Sequence, residues 1–287
     1  MTQLNNSLQH SPLVSVDWLM AYRRAEEVKL VDASMEKIVG KEPITYDSLT
    51  VLPQSKPLNI ETDLSDTASQ LSNTMPSAKK FSQYMMKLGI TNDDIVVIYD
   101  NQGMYSAPRA WWLFKVMGHK NIYVLDGGLP KWQLENQPVV ASYQALGEKS
   151  HYIAQLQHEW LANQSLVAAN LKDNEYAVID ARGAVRFHGL SLEPRPNVRP
   201  GHIPNSLNLP FAKMLDSGSF KSVQALKKEF AELGVEDVDH PMIFSCGSGI
   251  TACILLLAAH IAGFNNLRLY DGSWAQWGSD DSLPVSL

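Results

Sequence analysis

The feature of this 287-residue sequence that most restricts its fold is an internal repeat. A short apolar segment ending in Asp-Ala occupies residues 28–33 and recurs at residues 176–181. A segment with an Asp-Gly turn and a closing tryptophan occupies residues 122–132 and recurs at residues 267–277. The first pair of segments is 148 residues apart and the second pair is 145 apart, and small differences in loop length account for the unequal spacing. This repetition indicates that one structural unit has been duplicated.

Between these matched ends, each copy alternates strand-like segments with helical segments. The predicted strands lie at residues 95–99 and 242–245. The predicted helices lie at residues 79–89 and 106–117 in the first copy and at residues 226–234 and 249–262 in the second. Such alternation is typical of a parallel sheet covered by helices. The predicted fold class is therefore α/β, with two tandem domains that each hold a parallel sheet flanked by helices.

The repeat also predicts where the domains begin and end. We expect a first domain over residues 1–140 and a second domain over residues 155–287. The linker should lie near residues 137–150, which have a mixed composition and follow the first closing turn. A duplicated fold does not by itself determine a function, so the chemistry has to be argued from particular residues.

Composition excludes some classes of function. Apolar residues make up 45% of the chain, and 24 basic against 30 acidic residues give a net charge of -6. This balance argues against a nucleic-acid partner, which usually binds a basic surface. No run of 18 apolar residues predicts a membrane span. The first ten residues, MTQLNNSLQH, lack the positive start and apolar block of a secretory signal. We therefore expect a cytoplasmic protein without a nucleic-acid or membrane partner.

The chain contains only two cysteines, Cys246 and Cys253. Two are too few for a disulfide framework, and no Cys or His residues stand at metal-ligand spacing, so we expect no metal site. Cys253 lies in an apolar helical segment, ACILLLAAHIAG, where core packing is the expected role. A redox pair formed by the two cysteines is the alternative interpretation.

The two copies differ where a strand meets the next helix. The first copy has Asp100 at this point and the second has Cys246, followed by Gly247 and Gly249. Ligands of parallel sheets bind beyond the carboxyl ends of the strands. Glycines permit a tight loop whose amides point inward, and such a loop at a helix N-terminus stabilises an anion. We therefore predict that Cys246 is a thiolate nucleophile, the alternative being a small buried core residue.

Arginine placement points to an anionic substrate. Half of the eight arginines fall within 18 residues of the second copy, and these are Arg182, Arg186, Arg195 and Arg199. Guanidinium groups bind carboxylates through paired, charge-assisted hydrogen bonds. The alternative is a set of ion pairs with Asp180 and Glu193.

Five motifs of this chain are distinctive. The second copy contains CGSGITAC at 246–253, YDGSWAQWG at 270–278 and RPGHIPNSLNLP at 199–210, and the first copy contains YSAPRAWW at 105–112 and LDGGLPKW at 125–132. Together these motifs resemble those of the rhodanese and 3-mercaptopyruvate sulfurtransferase family. The resemblance spans nearly the whole chain. The loop is most similar to the 3-mercaptopyruvate branch, whose loop begins Cys-Gly-Ser-Gly.

The resemblance implies a fold, a reaction and an absence of cofactors. The fold would be two rhodanese-like domains, of which only the second is catalytic. The Cys246 thiolate would take sulfur from 3-mercaptopyruvate, release pyruvate and hold the sulfur as a persulfide. A thiol acceptor such as thioredoxin, or cyanide, would then receive the sulfur. No metal or organic cofactor is implied.

The resemblance also implies site residues. Arg186 and Arg195 match the family's carboxylate-binding arginines, and Ser248 matches a serine thought to relay a proton or orient the substrate. The substrate site would also include the loop residues Gly247, Gly249, Ile250 and Thr251. From the sequence itself, we expect the Thr251 hydroxyl to cap the following helix or close the loop. Arg182 and Arg199 are expected to be structural.

One departure from the family pattern concerns the first copy. In the 3-mercaptopyruvate branch, an Asp and a His from the first domain are proposed to act with the loop serine. Residues 60–76 contain no histidine here; Asn73 stands at the expected position, and Thr62 or Asp63 falls near the expected aspartate. Whether a relay through Ser248 exists is therefore open, and helix and backbone electrostatics are the alternative means of activating the thiolate.

Three other functions remain as alternatives. A cysteine phosphatase needs an arginine six positions after the cysteine, where this chain has Ala252. A non-catalytic persulfide carrier or binding module would not release pyruvate catalytically. Thiosulfate:cyanide transfer is the alternative enzyme, but thiosulfate is a dianion and residues 247–251 carry no positive charge.

Overall fold

A computed structural model describes residues 11–287 and shows two compact units. Unit 1 consists of the described residues up to Ser65 together with Pro76–Leu156 and Ser217–Phe220. Unit 2 consists of Asp66–Met75, Gln157–Asp216 and Lys221–Leu287. The prediction that the first ten residues carry no secretory signal lies outside the described residues.

Strands and helices alternate along most of the described chain. The strands are β1 (Leu13–Val14), β2 (Val28–Asp32), β3 (Lys56–Pro57), β4 (Ile95–Tyr99), β5 (Ile122–Leu125), β6 (Leu161–Ala162), β7 (Ala177–Asp180), β8 (Leu207–Asn208), β9 (Leu215–Asp216), β10 (Ser219–Phe220), β11 (Met242–Ser245) and β12 (Leu267–Tyr270). The helices are α1 (Val16–Tyr22), α2 (Ala78–Lys87), α3 (Ala107–Val116), α4 (Gly128–Leu134), α5 (Gln164–Asp173), α6 (Ala184–Phe187), α7 (Val223–Ala231), α8 (Ala252–Ile261) and α9 (Ser273–Trp277). Two 3-10 turns cover His158–Trp160 and Phe211–Met214.

Each unit contains a five-stranded sheet with the same topology. The order is β1-β5-β4-β2-β3 in unit 1 and β6-β12-β11-β7-β8 in unit 2. All neighbouring pairs in both sheets are parallel. The α/β class and the duplicated parallel sheet are therefore confirmed.

The predicted strands match the structure more closely than the predicted helices. The strands predicted at 95–99 and 242–245 coincide with β4 and β11. The helix predicted from residue 249 begins only at Ala252, because the residues before it form the loop after β11. Two-residue strands such as β3 and β8 have no periodicity that a sequence could reveal.

Matched residues begin the matched helices. Ser77 accepts a hydrogen bond from the Lys80 amide at 3.2 Å and caps α2. Ser222 accepts one from the Ala225 amide at 3.3 Å and caps α7. A serine at this position satisfies one of the amides that a helix start leaves unpaired, which explains why both helices begin where they do.

Two matched tryptophans, one near the end of each repeat, are buried in the cores of their units. The indole of Trp132 donates to the Pro138 carbonyl at 2.8 Å, and the indole of Trp277 donates to the Pro284 carbonyl at 2.8 Å. Both side chains are fully buried. A buried indole needs such an acceptor, so each tryptophan packs into its core without leaving a polar group unpaired.

The matched Asp-Gly turns hold two segments that come from the opposite half of the sequence. In unit 1, the Asp126 carboxylate accepts a hydrogen bond from the Phe220 amide at 2.9 Å. In unit 2, the Asp271 carboxylate accepts one from the Met75 amide at 2.9 Å. Each unit is therefore completed by a short stretch of chain that lies about a hundred residues or more away in sequence.

The longest helices of residues 11–287 have ten residues. Within this range, no helix combines the length and the apolar character needed to cross a bilayer.

A buried histidine in unit 1 makes the fold sensitive to acid. His119 is 2% exposed; its Nε2 lies 3.1 Å from the Asp94 carbonyl oxygen and its Nδ1 lies 3.1 Å from the Tyr152 hydroxyl. Because a carbonyl can only accept, Nε2 carries the proton and Nδ1 accepts from Tyr152. Burial lowers the pKa of His119 from 6.5 to about 4, so the neutral ring is the folded form.

We expect the free energy of unfolding to fall by roughly 3 kcal/mol through His119 alone as the pH drops from 6.5 to about 4. Over this interval the unfolded chain binds a proton at His119 and the folded chain does not, so protonation favours the unfolded chain. Above pH 6.5 the ring is neutral in both states, and this loss of stability is absent. Urea unfolding at several pH values should show a smaller acid loss for His119→Gln. The control is the exposed His151→Gln; equal acid loss in both variants would contradict the prediction.

Candidate active site

The candidate site lies where β7 and β11 end side by side. In the parallel pairing of these strands, Asp180 stands opposite Ser245. The chain leaves both strands at the carboxyl edge of the sheet, so the turn that carries Arg182 and the loop that begins at Cys246 emerge together. This edge is where the sequence predicted a ligand site, because the carboxyl ends of parallel strands leave an open crevice.

The loop after β11 is tied to the start of α9 through its backbone. The Cys246 amide donates to the Ser273 hydroxyl at 3.2 Å, and the Cys246 carbonyl accepts from the Trp274 amide at 2.9 Å. The Gly247 carbonyl accepts from the Ala275 amide at 3.0 Å. These bonds hold the backbone on both sides of the sulfur-bearing side chain. Sequence reasoning missed Ser273, whose only signal was its place inside the motif YDGSWAQWG.

The loop is closely packed. Cys246 is 2% exposed, and Ser248, Ile250 and Thr251 are each less than 9% exposed. Gly249 has a φ of 77°, a left-handed conformation that glycine adopts without strain and that lets the loop turn tightly. The predicted loop residues are thus brought together in a site with little access for bulk water.

Two predictions about the helix after the loop have different outcomes. Cys253 is fully buried inside α8, and its sulfur lies 3.2 Å from the Gly249 carbonyl oxygen, which agrees with a packing role. Of the two roles predicted for the Thr251 hydroxyl, capping the helix or closing the loop, the capping role is wrong: Thr251 immediately precedes α8, but its hydroxyl makes no capping hydrogen bond. Its φ and ψ of -71° and -20° are already helical, whereas a capping side chain requires extended backbone.

Arg186 and Arg195 both lie against the loop. A methyl carbon placed on Gly247 would stand 3.0 Å from Nη2 of Arg186 and 3.3 Å from Nη1 of Arg195. Two guanidinium groups therefore converge beside the residue that follows Cys246. The structure brings together the two arginines that the family resemblance assigned to a carboxylate.

Arg182 is held entirely inside the protein. Its guanidinium donates to the Asp180 carboxylate, the shortest distance being 2.7 Å, to Glu193 at 3.0 Å and to the Gly201 carbonyl at 2.8 Å. The group also stacks 4.7 Å from the centroid of the Trp274 ring. Burial lowers the pKa of Arg182, but the charges of Asp180 and Glu193 outweigh burial and leave it raised. This arginine is structural, as expected.

Arg199 is structural as well. Its guanidinium donates to carbonyl oxygens at the C-terminal end of the chain, namely those of Trp277, Gly278, Asp280 and Leu283. Hydrogen bonds to four carbonyls fix the segment that follows α9, and they leave the Arg199 side chain engaged away from the loop after β11.

Arg186 is both a loop neighbour and a member of an ion pair. Its Nε and Nη2 donate to the two carboxylate oxygens of Glu193 at 3.1 and 2.5 Å. The Glu193 side chain is 2% exposed, whereas that of Arg186 is 20% exposed. The sequence offered substrate binding and ion pairing as alternatives for these arginines, and the geometry of Arg186 accommodates both.

The segment 66–75 of unit 2 reaches the loop from the first half of the sequence. The Asn73 side-chain amide donates to the Ser248 hydroxyl at 3.0 Å, and the Arg195 Nε donates to the Ser72 hydroxyl at 3.1 Å. Asn73 thus stands beside Ser248, where the family pattern led us to look for a histidine. Because a side-chain amide does not titrate near neutral pH, Asn73 cannot act as a base toward Ser248.

The residues proposed for the aspartate of that pattern lie in unit 1. The Thr62 carbonyl accepts a hydrogen bond from Nζ of Lys80 at 2.9 Å. Asp63 interacts with the Tyr84 hydroxyl; burial first, and then the charge of Asp63, raises the pKa of Tyr84 to about 12. The structure therefore gives Thr62 and Asp63 neighbours within unit 1.

The loop after β4 in unit 1 corresponds to the loop after β11 and binds a carboxylate through its backbone amides. Asp100 is fully buried, and its carboxylate accepts hydrogen bonds of 2.8 to 2.9 Å from four backbone amides, those of Gln102, Tyr105, Ser106 and Ala107. Four converging amides form an anion-binding nest that the chain fills with its own carboxylate. In the aligned loop of unit 2, Cys246 takes the place of Asp100.

No three His, Cys, Asp or Glu side chains within residues 11–287 are grouped so that they could hold a metal ion. The groups gathered around the loop after β11 are a thiol, a hydroxyl, an amide and guanidiniums. This set suits nucleophilic attack by sulfur on a small anionic donor.

The sequence matches the rhodanese-like domain family over residues 15–135 and 163–280, and the chain belongs to this family. It is a sulfurtransferase built from two rhodanese domains. Over 92% of its length it is 37% identical to the 3-mercaptopyruvate sulfurtransferase of Mus musculus, covering 91% of that protein. Over 96% it is 36% identical to the mitochondrial thiosulfate/3-mercaptopyruvate sulfurtransferase 1 of Arabidopsis thaliana, covering 78% of that protein.

Solved structures agree with this assignment. The structure of SseA from Escherichia coli, described as a 3-mercaptopyruvate sulfotransferase with the rhodanese fold, superposes with a TM-score of 0.81. The two sequences are 32% identical, and the match covers 92% of this chain and 99% of SseA. The resemblance inferred from the sequence motifs is therefore confirmed.

We expect Gly247→Ala to raise KM for an anionic sulfur donor by roughly threefold, since a charge-assisted contact to a guanidinium would be weakened. The added methyl group would crowd the Arg186 and Arg195 guanidiniums and push them slightly away from Gly247. Steady-state kinetics check this, with Gly147→Ala as control because a methyl group there meets no atom within 4 Å. An unchanged KM would show that neither arginine acts at Gly247.

Proposed function

We propose that this protein moves sulfur from 3-mercaptopyruvate, through a persulfide on Cys246, to a thiol acceptor and releases pyruvate. The observation that carries the proposal is the convergence of Arg186 and Arg195 on Gly247, directly beside Cys246. A carboxylate bound by these guanidiniums would present the rest of a small donor to the thiol. The relatives named 3-mercaptopyruvate sulfurtransferases support this donor.

The proposed reaction conserves every atom of the donor. The Cys246 thiolate attacks the donor sulfur, an S–S bond forms, and the C–S bond breaks with its electron pair left on carbon. The resulting enolate of pyruvate takes the proton of the donor thiol, which leaves a persulfide anion on Cys246. An acceptor thiolate then attacks the outer sulfur and regenerates the Cys246 thiolate.

Backbone amides are proposed to stabilise the anionic sulfur in both states. In unit 1, the Ser106 and Ala107 amides at the start of α3 bind the Asp100 carboxylate. The corresponding residues at the start of α8 in unit 2 are Thr251 and Ala252. Amides and the positive end of a helix favour a negative charge on the sulfur without any ionisable partner.

The same comparison supports different roles for the two halves. We propose that residues 155–287 form the catalytic domain and residues 1–140 a non-catalytic one. Asp100 fills the nest of the first half, so no donor anion can enter it, and aspartate is a poor nucleophile toward sulfur. The first half of the sequence nevertheless supplies Asn73 to the loop of unit 2.

Thiosulfate:cyanide transfer is the second candidate activity, and one relative carries both donors in its name. Thiosulfate is a dianion, and the loop residues 247–251 carry no cation. We therefore propose a higher kcat/KM for 3-mercaptopyruvate than for thiosulfate. A higher measured kcat/KM for thiosulfate than for 3-mercaptopyruvate would overturn this preference.

We also propose a sulfur acceptor and a cellular location. A dithiol protein such as thioredoxin would suit as acceptor, because its second thiol can release the transferred sulfur. The proposed location is the cytoplasm, although one relative is named as mitochondrial. A non-catalytic persulfide carrier is distinguished by turnover, since a carrier would accept sulfur without releasing pyruvate repeatedly.

The proposal predicts that incubation with 3-mercaptopyruvate adds the mass of one sulfur atom to the protein. Intact mass spectrometry should show this addition in the wild type and in Cys253→Ser, but not in Cys246→Ser. Cys253→Ser is the matched control because it removes the other thiol, which packs inside α8. Sulfur uptake or turnover in Cys246→Ser would refute the mechanism.

The contact between Asn73 and Ser248 predicts a second result. Losing this hydrogen bond in Asn73→Ala should lower kcat by about tenfold, because the Ser248 hydroxyl would no longer be oriented. Asn73→His would place a ring with a pKa of about 6.5 at this position and should introduce a pH dependence of kcat around that value.

The control is a double-mutant cycle with Ser248→Ala. If Asn73 acts through Ser248, the Asn73→Ala change should have little effect once Ser248 is already alanine. Additive losses in the double variant would show that Asn73 acts elsewhere, and an identical pH profile for Asn73→His would show that the ring does not reach the reaction.

A further inference from the structure

Glu193 is an acidic side chain that turns inward from an exposed loop. Its neighbour Leu192 is 89% exposed, whereas the Glu193 side chain is 2% exposed. The carboxylate accepts hydrogen bonds from Arg182 at 3.0 Å and from two nitrogens of Arg186 at 3.1 and 2.5 Å. A carboxylate is expensive to bury, so these contacts are what make its position possible.

Glu193 determines which edge of the Arg186 guanidinium faces the loop. A guanidinium has a side edge, formed by Nε and one Nη, and an end edge, formed by both Nη atoms. Glu193 occupies the side edge. The two atoms of the end edge lie 3.0 and 3.8 Å from a methyl carbon placed on Gly247. The bond to Glu193 therefore aims the end edge at the residue beside Cys246.

Glu193 also determines the charge that a donor meets. Asp180 and Glu193 contribute two negative charges, and Arg182 and Arg186 contribute two positive charges, so this hydrogen-bonded chain of four residues is neutral as a whole. Without the Glu193 charge this chain would carry one net positive charge beside Gly247. Added positive charge attracts a dianion more than a monoanion, so the neutral chain favours a monoanion.

We propose that Glu193 is a positioning residue that sets the donor class: it aims Arg186 at the loop and cancels its charge, so that the site favours a monoanionic carboxylate over a dianion. The inference rests on the proposed function, since it concerns the choice of sulfur donor at Cys246. Glu193 acts through Arg186 and does not need to touch the donor.

Kinetics of Glu193→Gln with 3-mercaptopyruvate and thiosulfate test the proposal. Glutamine keeps the size and one acceptor oxygen but removes the negative charge. The ratio of kcat/KM for thiosulfate to that for 3-mercaptopyruvate should rise by about tenfold relative to the wild type, because a dianion gains more than a monoanion from the added positive charge. Glu193→Asp keeps the charge and is the matched control, with a ratio within about twofold of the wild type. A merely structural role would lower both efficiencies by the same factor, and that result would overturn the proposal.

A binding measurement separates this inference from the proposed function. In Cys246→Ser, which cannot turn over, the affinities of sulfate and pyruvate are measured by thermal shift with and without Glu193→Gln. The added change should strengthen sulfate binding relative to pyruvate binding. If the wild type takes sulfur from neither donor, the proposed function fails while this comparison still decides the role of Glu193. An unchanged relative affinity would refute that role even if sulfur transfer occurs.

A second variant covers the case in which Glu193→Gln does not fold. Glu193→Ala leaves room for an added carboxylate, so it is purified and assayed at a series of formate concentrations. The preference for 3-mercaptopyruvate should increase with formate in this variant and stay constant in the wild type. A donor ratio that does not depend on formate in Glu193→Ala would overturn the proposal.

Discussion

The parallel pairing of β7 with β11 is the constraint on which the candidate site depends. It places Asp180 opposite Ser245, so the next residues of both strands leave the sheet at the same edge. Asp180 holds Arg182, Arg182 shares Glu193 with Arg186, and Arg186 lies against Gly247. A chain of hydrogen bonds that starts at the end of β7 therefore ends at a guanidinium that lies beside the loop after β11.

The two copies of the fold use the same loop in two ways. In unit 1, backbone amides close on the carboxylate of Asp100, which satisfies them and fills the space. In unit 2, a thiol stands at the matched position, and two guanidiniums lie beside the next residue, Gly247. A nest that binds an anion can stabilise a fold when the anion is internal, or stabilise a reactive sulfur when the anion is a thiolate.

Two short segments complete the units from distant parts of the sequence. Asp126 and Asp271 occupy matched turns, and each accepts an amide from such a segment. In unit 2 the segment brings Ser72 to Arg195 and Asn73 to Ser248. The same stretch of chain thus contacts the Arg195 guanidinium and a loop hydroxyl, so residues from the first half of the sequence contribute to the candidate site in the second half.

The sequence by itself determined the α/β class, the duplication and Cys246 as the candidate nucleophile, and its resemblance to a known family selected Arg186 and Arg195 from four clustered arginines. Strand periodicity, repeat spacing and motif residues are local signals, and these were sufficient. Only the tertiary structure decided that Thr251 does not cap α8, that Glu193 points inward, and that Asn73 donates to Ser248, 175 residues away. Such contacts depend on the packing of segments distant in sequence, and no local pattern records which way a surface-loop side chain will turn.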